Sequence, residues 1–273
     1  MTQRGLDHEV TYGRAGVVIR RRRPGADGLD VPREAALLRI IRATTTVPVP
    51  RVLRTWPARG VIEMERVPGV SLLDHLPCVT EADALRLGRD LGELVAALAR
   101  IPVVEVADLV PRDVPEPQKL LAEALATWEQ VHDHVPTALR QPVEKFLAIV
   151  PDLKPRGLVL THQDLGAEHV FVDGPALQIS GIIDWSDAAL GDPAVDLGLI
   201  LRDLGEAAGE CAVARFAARG LETDELIPRA LFHARVRALE DLAYGLAEHL
   251  PAYRDNALRA IARLFRPEDR SAA

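Results

Sequence analysis

The first third of the chain reads as short strands around one helix, and the rest as helices interrupted by a single hairpin. Gly16-Val17-Val18-Ile19-Arg20 is rich in β-branched residues and predicts a strand. From Arg33 to Ile41 the apolar positions recur at helical spacing. Val47 to Leu53 carries prolines at 48 and 50 and must be extended, and Gly60 to Glu65 predicts a further strand closed by Val67-Pro68-Gly69. Thr80-Glu81-Ala82-Asp83 has the form of a capping box. Behind it Leu87, Leu91, Leu94, Val95 and Leu98 fall on one helix face. Residues 101–117, rich in Pro and Val, predict an extended connection. Helices follow over 118–132 and 139–150 and, beyond Pro193, to 204, over 206–218, 224–250 and 253–265.

Between those helices the pattern changes. Leu158, Val159 and Leu160 form an apolar strand that ends on Thr161-His162-Gln163-Asp164. A hairpin then runs through Val170-Phe171-Val172, a turn at Asp173-Gly174-Pro175, and Leu177 to Ile183. It delivers Asp184 back beside Asp164. Two carboxylates at strand ends suit phosphoryl transfer. One receives the proton of an attacking hydroxyl and the other holds the magnesium that bridges the phosphates.

In order, the set is a strand, His162-x-Asp164, a hairpin, Ile182-Ile183-Asp184-Trp185, Gly191-Asp192-Pro193 and Asp196. From Leu158 to Leu201 it resembles the catalytic core of the aminoglycoside phosphotransferase family, a branch of the protein-kinase-like superfamily. The resemblance extends over about residues 5 to 205. It implies an α+β, bilobal fold, with a small β-rich nucleotide lobe and inter-lobe link over 1–69 and a larger helical lobe over 70–273. Asp164 would be the catalytic base, braced by His162, with Asp196 holding the loop from the following helix. Asp184 would be the metal ligand. His169 stands where the family commonly has Asn and, as in the macrolide and aminoglycoside 2″ branches, would lie at the metal. Arg20 (or Arg21) would neutralise phosphate charge, pinned by Glu34. The link through Glu63, Met64 and Glu65 would take the base of ATP or GTP, by backbone hydrogen bonds and by packing from Met64. For a cationic acceptor the candidate side chains are Asp187, Asp192, Asp203, Glu240, Asp241, Glu248 and Asp255. Asp192 doubles as a cap for a helix opening at Pro193.

The sequence departs from the family at its start. Gly5-Leu6-Asp7-His8 has His8 in place of Asn, almost no first strand precedes Gly5, and no Gly-x-Gly-x-x-Gly is present. A transition-metal hydrolase using His162, Asp164, His169 and Asp184 is the competing chemistry. A silent kinase-like binding protein and a kinase of an ordinary metabolite are the other two alternatives.

Composition narrows the setting. The 273 residues carry a net charge of −7, so Arg20 to Arg23 make a poor nucleic-acid patch, and an acidic surface suits a small cationic partner. No apolar run approaches a membrane span and no signal peptide is visible, which predicts a cytoplasmic protein without membrane contact, expected to be a monomer. The two cysteines, Cys78 and Cys211, are expected to be small buried residues.

Overall fold

In a computed structural model, residues 2–4, 8–13, 16–25, 28–154 and 157–266 are described. The chain opens with β1 (Thr2–Arg4), β2 (His8–Tyr12) and β3 (Val17–Arg22), followed by α1 (Val31–Thr44), β4 (Val52–Trp56) and β5 (Val61–Glu65). These strands form one antiparallel sheet in the order β1-β2-β3-β5-β4. A first strand therefore does precede Gly5, with Gln3 opposite Val10. Residues 5–7 of the Gly-x-Asp-His motif lie outside the described part, and so do 14 and 15 of the β2–β3 turn.

Helix α1 starts on Asp30, whose side chain accepts from the Arg33 N–H, with Pro32 in the first turn. Its buried stripe (Leu37, Leu38, Ile41) shares one core with Val49, Ile62 and Met64. Register decides which strand residues face that core. Arg20 lies opposite Ile62 and Val18 opposite Met64. The Arg20 side chain is thus on the covered face, while Glu63 and Glu65, one position along, point the other way.

Helices dominate the remainder: α2 (Leu72–His75), α3 (Glu81–Ala99), α4 (Val103–Val106), α5 (Pro117–Val131), α6 (Thr137–Leu147), α7 (Ala194–Leu204), α8 (Glu206–Ala218), α9 (Leu226–Ala247) and α10 (Pro251–Leu264). The capping box of α3 forms as its sequence predicts. Helix α4 is a turn that the Pro- and Val-rich composition of 101–117 did not announce. The two cysteines are also a correction: Cys78 is exposed and Cys211 half-buried.

Two small sheets interrupt this helical part. Strands β7 (Val159–Thr161) and β10 (Ala189–Gly191) pair, and β6 (Val70–Ser71), β8 (Val170–Asp173) and β9 (Gln178–Ile182) pair in the order β6-β8-β9. They bring the 162–169 loop and Asp184 together. Gly69, at φ +84°, sits where a Cβ would strike the Val172 carbonyl, so the β5–β6 connection closes onto β8 only with glycine there. No helix among the described residues is long and apolar enough to cross a membrane.

Candidate active site

The sheet contributes a buried cation. Arg20, central on β3 and 6% exposed, forms an ion pair with Glu34 of α1, itself 2% exposed. Its Nη1 donates to Asp184 Oδ1 at 2.6 Å. Asp184 Oδ1 also accepts from Ser186 Oγ at 2.9 Å. Burial raises the Asp184 carboxyl, and Arg20, His169, His8 and the Ser186 hydroxyl together more than offset it, so the group is held well below the usual carboxylate range and stays ionised. A third of the Asp184 side chain remains open. The segment before α1 clamps the same loop, because the Leu29 N–H donates to the Ser186 carbonyl at 2.7 Å. Gly28, at φ +90°, permits that approach, since a Cβ would lie 2.7 Å from the Ser186 oxygen.

The loop carrying Asp164 is held from within. His162 is fully buried and lies over Trp185, ring centroids 4.5 Å apart. Its Nε2 donates to the Ile183 carbonyl at 3.0 Å and its Nδ1 accepts from the Asp164 N–H at 3.3 Å, which fixes the tautomer. Burial pushes this imidazole down to about 4, so it is neutral. It points into the protein, locking the backbone of Asp164 to that of Ile183, the residue before Asp184. Asp196 of α7 accepts from the N–H groups of His162 (2.8 Å) and Gln163 (2.9 Å). Gln163 and Asp184 both have positive φ, 70° and 59°. Strained backbone therefore stands on both sides of the site, tolerated because the neighbouring hydrogen bonds determine it.

His169 faces Asp164. Its Nδ1 donates to the Asp164 carbonyl at 2.8 Å and lies 3.4 Å from the carboxylate. Burial lowers its pKa, but the carboxylates of Asp164, Glu168 and Asp184 raise it further, to about 9. His169 also stands with Asp164 and Glu168 in a cluster whose ligand atoms all lie within 4.8 Å of one another, close enough together to hold a metal ion. The hydrolase alternative loses one of its four ligands, since both His162 nitrogens are hydrogen-bonded within the protein. Asp164 stays ionised because His169 and Arg237 of α9 together outweigh its burial. Its side chain is about one third exposed. It opens into a cavity of about 430 Å³ that Arg112, Asp113, Asp187 and Arg237 also line.

The other expected residues divide. Asp187 lies in that cavity. Asp192 is engaged in structure: Oδ1 accepts from the Ala194 N–H (3.0 Å), capping α7, and Oδ2 pairs with Arg229 (2.8 Å). Glu240 pairs with Arg237 at 3.0 Å. Asp241 pairs with the buried Arg202 at 2.8 Å. Asp203 is not a ligand group on the surface either. It accepts from the Ala167 N–H at 2.7 Å and takes Arg202 on both oxygens. Met64 is 7% exposed, a core residue on the Arg20 face. The Glu65 N–H donates to the Arg51 carbonyl and its carboxylate pairs with Arg51, so neither is turned to a base. The Glu63 side chain points away from Arg20.

Three contributors were given no role at the site by the sequence. His8 is buried beside Arg20, and burial with that cation pushes it down to about 4. Arg237 and Arg202 were visible only as charges inside otherwise apolar helices, Arg237 at helical spacing from Arg229 and Asp241.

A buried cation joined to an acid of the next helix and to an acid after a hairpin, facing a braced His-x-Asp loop, defines a kinase-like phosphotransferase. The sequence matches the model of the phosphotransferase enzyme family over residues 7–233, and the chain belongs to that family. It is similar to viomycin phosphotransferase of Streptomyces vinaceus, with 30% identity over 278 residues, spanning 89% of this chain and 90% of that one. Among solved structures, the GDP complex of wild-type aminoglycoside 2'-phosphotransferase-IIIa superposes with a TM-score of 0.69 at 21% identity, covering 96% of this chain and 90% of the other. The apoenzyme of macrolide 2'-phosphotransferase from Brachybacterium faecium does so with a TM-score of 0.59 at 26% identity, covering 99% and 93%.

Proposed function

We propose that this enzyme transfers the γ-phosphoryl group of ATP or GTP to a hydroxyl of a small antibiotic, in the manner of its aminoglycoside, macrolide and viomycin phosphotransferase relatives. The observation that carries this reading is the Glu34–Arg20–Asp184 ion chain, whose Asp184 accepts from Ser186, a wall residue of the cavity holding Asp164. The nucleotide lobe and link are 1–69, and 70–273 carries the catalytic loop and the acceptor site. The protein acts in the cytoplasm as a monomer, without nucleic acid or membrane partners.

Asp164, ionised and open to the cavity, aligns the acceptor hydroxyl and takes its proton as the oxygen attacks phosphorus. His162 and Asp196 position it through the backbone. His169, as a cation 3.4 Å from that carboxylate, keeps it deprotonated between turnovers. Arg20 neutralises phosphate charge once its bond to Asp184 is exchanged for the nucleotide. The donor set fits magnesium through Asp184, a hard oxygen ligand held ionised and partly exposed. Magnesium supplies charge neutralisation between the phosphates. The base of the nucleotide reaches the link beside Met64 through backbone groups, with the Glu63 and Glu65 side chains uninvolved.

Asp164→Asn keeps shape and removes the charge. On an acceptor found by screening antibiotics with ATP and GTP separately, its turnover should fall by about 10²–10⁴. Its nucleotide affinity should match the wild type. Wild-type turnover in this variant would refute the assignment.

A further inference from the structure

A second cavity of about 310 Å³ adjoins the catalytic one, and Asp113 lines both. Its size is at the lower end of small-molecule pockets, roughly 300–1,000 Å³. The two differ in character. The catalytic cavity carries charges of both signs, from Asp113, Asp164 and Asp187 and from Arg112 and Arg237. The second has an apolar floor of Val195, Phe232, Leu120 and Leu153, with His233 set into it and charged residues at its exposed rim. The acids and bases of its floor are already paired, since Asp192 holds Arg229 at 2.8 Å.

Helix α9 runs past both cavities. Arg229, His233 and Arg237 are spaced four apart on one face. Arg229 and His233 line the second cavity and Arg237 the first. Four residues of helix advance about 6 Å, so His233 stands roughly one sugar-ring width from the catalytic compartment. The His233 ring touches Phe232 (centroids 5.5 Å apart) and, among the described residues, makes no hydrogen bond. A neutral imidazole presents one donor and one acceptor, and here both are left for a ligand. Burial pushes it down to about 4 against the pull of Asp192, with Arg237 and Arg229 adding to the burial, so it remains uncharged at neutral pH.

We infer that the second cavity is the distal compartment of the acceptor site. It takes an uncharged, largely apolar ring of the same molecule whose hydroxyl meets Asp164, hydrogen-bonded to His233. The inference rests on the phosphotransfer reading only for what occupies the catalytic cavity. The acceptor it implies is two-ended, polar and charged at the reacting end and neutral at the other. It is not an evenly charged polycation.

The test uses the full chain and Leu120→Trp, in which a half-buried wall residue of α5 is enlarged into the cavity. Histidine-selective ¹⁵N NMR follows the His233 ring while cyclohexanol, a neutral ring probe, is added. The expected result is a saturable shift of the His233 resonance in wild type that is lost in Leu120→Trp. No shift in wild type, or the same shift in both proteins, overturns the inference. With an acceptor that wild type phosphorylates, from a panel including viomycin and kanamycin, Leu120→Trp should raise the acceptor KM about ten-fold or more. It should leave kcat and the nucleotide KM within about three-fold. An unchanged acceptor KM, or equal losses in kcat and nucleotide KM, also overturns it. If no antibiotic in the panel is phosphorylated, the proposed acceptor class fails, and the NMR outcome alone decides the compartment.

Discussion

Two arginines in this molecule are buried among carboxylates, with opposite consequences. Arg20 joins Glu34 to Asp184 across three elements, and one end of the chain is a carboxylate open to the cleft. Arg202 lies 1% exposed beneath the catalytic loop, with Asp203 at 2.8 Å, Asp241 at 2.8 Å and Glu168 at 3.5 Å. Asp203 carries that cluster to the loop through Ala167, and Asn256 of α10 donates to it at 2.8 Å. Both clusters have the same chemistry. Only the first leaves a charged oxygen where a ligand can reach it, so only the first is a site. The second is a scaffold that holds the site still. Burial of a charge network says nothing about function until its open end is located.

The largest expected effect tests the scaffold. Arg202→Ala leaves the buried Asp203 and the half-buried Glu168 and Asp241 without their cation and should lower the unfolding free energy by about 3–5 kcal/mol, measured in denaturant. A loss near zero would break the comparison by showing that the cluster holds nothing. The Arg20 chain has only one fully buried acid, which can be removed with its partner. Replacing Arg20 and Glu34 together by Met should keep stability within about 2 kcal/mol of wild type while abolishing magnesium-nucleotide binding in calorimetry. Retained binding would mean that Arg20 is scaffold too.

Asp184→Asn sharpens the contrast at the open end. It should lose some stability at neutral pH, because the carboxylate paired with Arg20 is held below its usual range, and its affinity for magnesium with ATP or GTP should fall on the order of ten- to a hundred-fold. Equal affinities would remove Asp184 from the metal role.

His169 lies between the two clusters, and its effect is the smallest. Its pKa is raised from 6.5 to about 9, so the folded protein binds this proton more tightly than the unfolded chain. The stability it confers is full below pH 6.5 and is lost as pH rises through about 9. The melting advantage of wild type over His169→Asn should therefore be greatest below about pH 6.5, shrink as pH rises and vanish above about pH 9, a difference on the order of 1–3 kcal/mol. A constant difference across that range would mean that His169 is not the cation between Asp164 and Glu168.

Most strands and helices and the catalytic loop, though not β1 or α4, were legible in the sequence because each depends on local signals. β-Branched runs, prolines, the Thr80 capping box and the apolar stripe of α3 act within a few residues of themselves. The spacing of His162, Asp164, Asp184 and Asp196 was legible for a similar reason, since a short hairpin fixes what it brings together. Family resemblance supplied Arg20 and Glu34, which lie 14 positions apart on neighbouring elements. What the sequence could not decide was the fate of acids on the late helices. Asp192, Asp203, Glu240 and Asp241 are alike in composition and spacing to surface acids. Asp192 meets Arg229 and Asp241 meets Arg202 only when the elements carrying them pack together, whereas Asp203 pairs with its neighbour Arg202 and Glu240 with Arg237 one turn away on α9. The same holds for His169, whose charge comes from three carboxylates that the fold gathers around it. Local propensity is written in the chain; electrostatic role belongs to the set of neighbours, and only the packed structure chooses them.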